Sequence, residues 1–242
     1  VEAKMIHQYD DRWATYEPDG TVLIVSLLEK QDPDFAVMPH YWVAEAEVDA
    51  KLDGRWKEPW IMGWRRIARS TDERTLIAAR AKRTAVPDKF ALGFPAKAPE
   101  LLLACLNSFA LDYTLRQKAG GTQVDLYLIK QLPLPLHPMN TLSLQETARR
   151  LVFRAIGTLN VEERTQIRMS IDAAVFHLYG IARDDVDYIM ETFPIVQRKD
   201  IAAHGEFRTK RLILEIYDAM QRAIDTGTEY QTILDPPPGE GP

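Results

Sequence analysis

A single cysteine, Cys105, leaves the chain without an internal disulfide and without the thiolates of a cysteine-based zinc site. Such cysteine usage suits a reducing compartment, so a cytoplasmic location is expected. No basic-then-apolar leader opens the chain, and no apolar run approaches the roughly 20 residues that span a bilayer, so no membrane partner is expected. The five histidines, His7, His40, His137, His177 and His204, lack metal-ligand spacing, and His177 reads as a packed helix residue. Gly120-Gly121 is not followed by the lysine of a phosphate-cradling P-loop. Asp34 with Glu45-Ala46-Glu47 lacks the lysine that a magnesium-dependent nuclease strand carries beside its carboxylates. No Ser-His-Asp or Cys-His spacing and no internal repeat is visible, so a small-molecule enzyme finds no convergent site here.

What is present is an ordinary globular composition, 46% hydrophobic and 27% charged, with enough length for one large domain or a domain with a helical appendage. The net charge of −5 hides a segregation that matters more for a charged partner. Residues 1–50 hold 3 Lys and Arg against 11 Asp and Glu, whereas residues 51–90 hold 11 against 5. A basic segment of this kind is either a solvated face or a contact for nucleic acid.

Along the chain, Lys4–Tyr16 alternates as a strand, with a turn at Pro18-Asp19-Gly20. Its polar face offers Lys4, Gln8 and Arg12 to a phosphate backbone, unless it is simply an edge strand. Periodicity does not assign the apolar run in 21–35, and Tyr41–Val48 alternates as a strand. Trp60–Ala79 reads as a strand, a polar turn at Ser70-Thr71-Asp72, then a strand or short helix. Leu101, Leu102, Cys105, Leu106, Phe109 and Tyr113 share one helical face, and the helix should stop at Gly120-Gly121. Val124, Leu126 and Leu128 then alternate as a short strand ending at Pro133 and Pro135. Beyond a connector at Pro133–Asn140, helices are expected over 144–159, from an Asn160 cap to Leu178, over 184–193 stopped by Pro194, and over 206–224.

Several stretches resemble the C-terminal target-recognition (specificity) domain of type IIG-like restriction-modification enzymes, which are N6-adenine DNA methyltransferases. They are Lys4-Met5-Ile6, Gln8-Tyr9-Asp10, Gly63 to Thr75, Leu106-Asn107-Ser108, Arg116-Gln117-Lys118-Ala119-Gly120-Gly121-Thr122, and Gln131-Leu132-Pro133. Asp72 stands where that family has asparagine. Ile171–Gly180 and Glu206–Lys210 resemble the family's helical ending. The resemblance implies an α+β fold: a recognition domain with a mixed sheet over residues 1–138, a helical segment over 139–225 packing on it, and a flexible tail over 226–242. It implies double-stranded DNA as partner, together with methyltransferase and, where the parent cleaves, nuclease domains of the same parent chain. The opening valine agrees with a preceding part of a longer polypeptide.

The family's catalytic motifs are missing. No glycine-rich loop for S-adenosylmethionine is present, and Asp235-Pro236-Pro237-Pro238 lacks the aromatic residue that stacks on a flipped base. The chain is therefore expected to be non-catalytic and to hold no cofactor, S-adenosylmethionine belonging to the parent. Expected DNA contacts are Arg65, Arg66, Arg69, Arg74, Lys82, Arg83, Arg116, Lys118, Thr122 and Gln123, through phosphate grips and bidentate readout of guanine. For Arg74 a structural ion pair is the competing reading, and for Gly120-Gly121 it is helix capping. The rival function is a protein-interaction module whose basic segment is merely solvated.

Overall fold

The computed structural model describes residues 1–32, 34–69, 72–135, 142–157 and 161–231. Lys4–Tyr16 is not one strand. Ala3–Met5 forms a single 3-10 turn, His7 and Asp10 exchange backbone hydrogen bonds of 2.7 and 3.0 Å, and Tyr9 between them is left-handed at φ 60°. Met5, Ile6, Gln8, Tyr9 and Asp10 are all buried, so side chains on both faces of the alternation need cover, which a half-exposed strand does not give. Only Ala14–Tyr16 (β1) is extended, antiparallel to Val22–Ile24 (β2) across the expected turn, where Gly20 has φ 85°. Leu27–Gln31 (α1) follows, started by a reciprocal cap between Ser26 and Glu29.

The strand expected at Tyr41–Val48 is also absent. Glu45–Leu52 is a helix (α2), while Tyr41, Trp42 and Val43 lie exposed ahead of it. Val48 and Leu52, one helical turn apart, face the core, and the alanines and glutamates of the segment, Glu45, Ala46, Glu47 and Ala50, favour a helix.

Trp60–Arg65 (β3) is the middle strand of an antiparallel sheet, flanked by Ala78–Lys82 (β4) and Phe90–Gly93 (β5). Alternation of β3 then decides which layer covers which face. Met62, Trp64 and Ala78 meet the helices, while Ile61, Ala79, Ala81 and Phe90 meet Ile6 and α2. Gly63 sits where backbone crowds closest. A Cβ there would lie 2.2 Å from the Ala91 carbonyl oxygen and 2.8 Å from the Phe90 ring. Of the expected turn at 70–72, Ser70 and Thr71 lie outside the described residues.

The central helix is two helices, Pro99–Asn107 (α3) and Phe109–Lys118 (α4), because Ser108 is extended and caps the second through its hydroxyl, 3.2 Å from Leu111 N. Leu101, Cys105, Leu106 and Phe109 are buried, whereas Leu102 and Tyr113 are half-buried. The helix ends at Lys118 with Ala119 extended, and neither Gly120 nor Gly121 takes a positive φ. The strand expected after them is reduced to one bridge, Ile67 to Gln123, before the short helix Leu126–Ile129 (α5). Val124, Leu128 and Leu132 are buried at four-residue spacing and Leu126 is exposed, so the period is that of a helix.

Leu142–Gly157 (α6), Val161–Leu178 (α7), Arg183–Glu191 (α8), Pro194–His204 (α9) and Arg208–Thr226 (α10) complete the chain. Pro194 does not end the helical region. It begins α9 at the first-turn position where a proline lacks no hydrogen bond. Residues 136–140 of the expected connector, the Asn160 cap and residues 232–242 of the expected tail lie outside the described residues.

Helix α7 is buried through Met169–Leu178 and packs on α3, α4, α6 and α10, which makes it the axis of the helical layer. The resulting α+β core is continuous from Tyr9, Trp64 and Leu76 to Phe176, Ile216 and Met220. Among the described residues, no helix is long and apolar enough to cross a membrane.

Substituting Gly63→Ala forces β5 away from β3. It should destabilise the fold by about 1–3 kcal/mol, read as a lower urea midpoint with an unchanged slope.

Candidate functional site

The N-terminus of α4 and the segment 72–76 are joined by one carboxylate. Asp112 has no exposed surface, accepts from Arg74 Nε and Arg116 Nε at 3.0 Å each, and accepts from the Thr75 backbone N–H at 3.0 Å. The Arg74 guanidinium also lies 3.9 Å from the Phe109 ring and donates to the Asn107 carbonyl. Asn107 completes the joint. Its amide accepts from Ala78 N at 2.9 Å and donates to Ala78 O at 3.0 Å, as a neighbouring strand would.

This joint decides where the expected contact residues lie. Arg74 is buried against Asp112, and Arg116, held by the same carboxylate, adds bonds to the Asp72 and Glu73 carbonyls at 2.7 and 3.1 Å. Glu73 pairs with Lys199, not with Arg74. Arg66 is clamped between Asp88 and Asp125, and Arg83 donates to Asp49 at 2.9 Å and to the Trp56 carbonyl at 2.9 Å. Arg65 is half-buried and donates to the Ile6 carbonyl, with burial pulling its pKa down. Lys82 is exposed at the end of β4.

Arg69, Lys118, Thr122 and Gln123 are exposed. An antiparallel crossing, in which Ala68 N donates to Thr122 O at 3.1 Å and Val124 N to Arg66 O at 2.7 Å, brings the segments that carry them together. The segments carrying these residues are about fifty positions apart in sequence, and no described residue pairs with the Arg69 or Lys118 side chain. Of the N-terminal residues expected to reach phosphate, Gln8 is buried and bonds to the Asn107 carbonyl at 3.1 Å, Arg12 donates to the Lys30 carbonyl, and Lys4 lies over the Tyr16 ring.

The sequence did not mark Asn107, Asp112, His7, Arg168 or Asp172 as members of a site. The first two lie inside resemblance-bearing helices, yet nothing in their spacing says that their polar ends turn inward. Burial holds the His7 pKa well down, helped by the positive charges of Arg168, Arg65, Arg74 and Arg164. Burial also pushes the Asp172 carboxyl up to about 6, although its oxygen accepts from Phe109 N at 2.7 Å. His177 is a packing residue, stacked on Tyr217 and 3.0 Å from that residue's carbonyl. Cys105 is buried and its thiol pushed up to about 12, so it is inert. Among the described residues, no group of three or more His, Cys, Asp or Glu is placed to hold a metal.

Asp112→Ala should cost about 3–5 kcal/mol, because two arginines lose their shared carboxylate, one of them fully buried. Chemical denaturation measures it. Asp172 has a folded pKa above its unfolded value of about 3.9. It therefore contributes stability that is complete below about pH 4 and lost as pH rises through about 6. Asp172→Asn retains the acceptor for Phe109 N and should flatten the stability profile across that window, read from urea midpoints.

Comparisons of the chain with protein-family models, with curated proteins and with solved structures find no match.

Proposed function

We propose that this chain is a non-catalytic recognition module of a restriction-modification enzyme, one that reads a double-stranded DNA site. It positions the site for methyl transfer, and for cleavage where the parent cleaves, by domains outside this chain. S-adenosylmethionine is then a ligand of the parent's methyltransferase domain, and the cytoplasm is the compartment where the parent meets DNA.

The observation that carries this reading is the crossing of 66–68 with 122–124. It brings the two most motif-like stretches together, with Arg69, Lys118, Thr122 and Gln123 exposed along them. Cationic ends grip phosphate at such a surface, while hydroxyl and amide groups have the donor and acceptor capacity that base edges require. The ion pairs narrow the reading. Arg66, Arg74, Arg83 and Arg116 hold the fold together, so phosphate contact at the outer surface falls chiefly to Arg69, Lys82 and Lys118.

A protein-interaction reading has its own observation. Leu28, Tyr41 and Trp42 are 79%, 72% and 73% exposed in the acidic first fifty residues, where DNA would be repelled.

Binding of the chain to random-sequence duplex DNA across a salt series tests the two readings. DNA recognition predicts affinity falling steeply with salt, with an Arg69→Ala/Lys118→Ala variant losing roughly 2 units of the log–log slope. Absence of binding at low salt would move the assignment to the protein-interaction reading.

A further inference from the structure

Two guanidinium groups beside one cavity each have a buried N–H donor without an acceptor among the described residues. Arg65 Nε and Arg74 Nη1 are buried without a hydrogen-bond partner, and both residues line one cavity of about 190 Å³. His7, Asp72, Glu73 and Thr75 also line it. Arg168 of α7 stands close enough for its charge to bear on both His7 and Arg74. A buried N–H without an acceptor is costly, and two around one cavity ask for an acceptor inside it.

The charges agree. Asp112 is shared between Arg74 and Arg116, and Arg65 faces the Ile6 carbonyl where a carboxylate would have neutralised it. The acidic residues at the rim are already engaged, Asp72 by the Arg69 backbone N–H at 3.0 Å and Glu73 by Lys199. The groove of about 580 Å³ beside β5 is different, because its Arg66 is matched by both Asp88 and Asp125. A cavity of about 190 Å³ admits a single tetrahedral oxyanion with a little water and is too small for a nucleoside.

We propose that the cavity between Arg65, Arg74 and His7 binds a phosphate-type oxyanion, one backbone phosphate of the DNA that Arg69 and Lys118 face. Its rim carries Ile67 and Ala68, the residues next to Arg69, so the cavity opens beside the proposed recognition surface. The DNA source of the phosphate rests on the recognition reading, whereas the oxyanion chemistry does not.

The test uses the full chain, inorganic phosphate followed by phosphorus NMR and by thermal shift, and a short duplex, all against chloride at matched ionic strength. Phosphate should bind the wild-type chain. Arg65→Gln should weaken it about tenfold, corresponding to about 1.4 kcal/mol, with Arg65→Lys recovering part of the loss. Arg222→Ala, on the exposed face of α10, should leave phosphate affinity unchanged. Phosphate that displaces the duplex identifies a DNA phosphate as the natural occupant, while phosphate that binds through Arg65 without displacing it identifies a free oxyanion, and the site stands. Phosphate binding without duplex binding retains the site and removes the recognition reading. Duplex binding by a wild-type chain that takes no phosphate overturns the site and spares the recognition reading. Equal phosphate affinity in wild type and Arg65→Gln overturns the site as well. The wild-type competition holds even if a variant fails to fold.

Discussion

The carboxylate of Asp112 is the constraint on which the surrounding structure depends. It lies fully out of water and is tolerable there only because two guanidinium groups and the backbone N–H of Thr75 converge on it. Once those bonds are made, the segment after the sheet's middle strand is locked to the first turn of α4. Asn107, five residues earlier, then binds the Ala78 backbone in both directions. Sheet and helical layer are thereby joined by polar bonds at a buried contact, where a purely apolar seam would allow sliding. A half-satisfied network at this place would be worse than an apolar one, which is why the bonds around Asp112 act as a unit.

A second buried cluster does similar work for the N-terminal segment. Asp10 accepts from Lys30 at 2.5 Å and from Arg164 of α7 at 2.6 Å, tying the opening turn, α1 and the central helix together. One core cluster includes Leu128 and Leu132 as well as Leu144 and Ala148. Any surface presented by the 66–69 and 118–123 segments therefore sits on a rigid support. Rigidity of that kind suits recognition, because contacting groups held by packing lose little entropy on binding.

The legible parts of the fold were those with strong local signals. The three- and four-residue spacing of apolar positions along α10 and the Asp19-Gly20 turn act within one or two turns of chain. The illegible parts were short segments whose period is ambiguous. Val124, Leu126 and Leu128 alternate as a strand would, yet Val124, Leu128 and Leu132 also repeat every fourth residue, and only burial distinguishes the two. Tyr41–Val48 alternates equally well but finds no strand to pair with. The arginines were legible as a basic cluster and illegible as individuals, since the carboxylates that claim Arg66, Arg74 and Arg83 lie tens of positions away in the chain.

Composition and local pattern by themselves determined the mixed α and β character, the sheet-forming middle with helices behind it, and the concentration of basic charge in residues 51–90. Those properties depend on neighbours in sequence and on totals. Tertiary structure alone decided which cations remain outward, which are consumed by Asp112, Asp125 and Asp49, and that Arg65 and Arg74 border a common cavity. Electrostatic partners are chosen by distance in space, and a charge that reads as solvated in sequence becomes structural when folding removes its water and supplies a carboxylate.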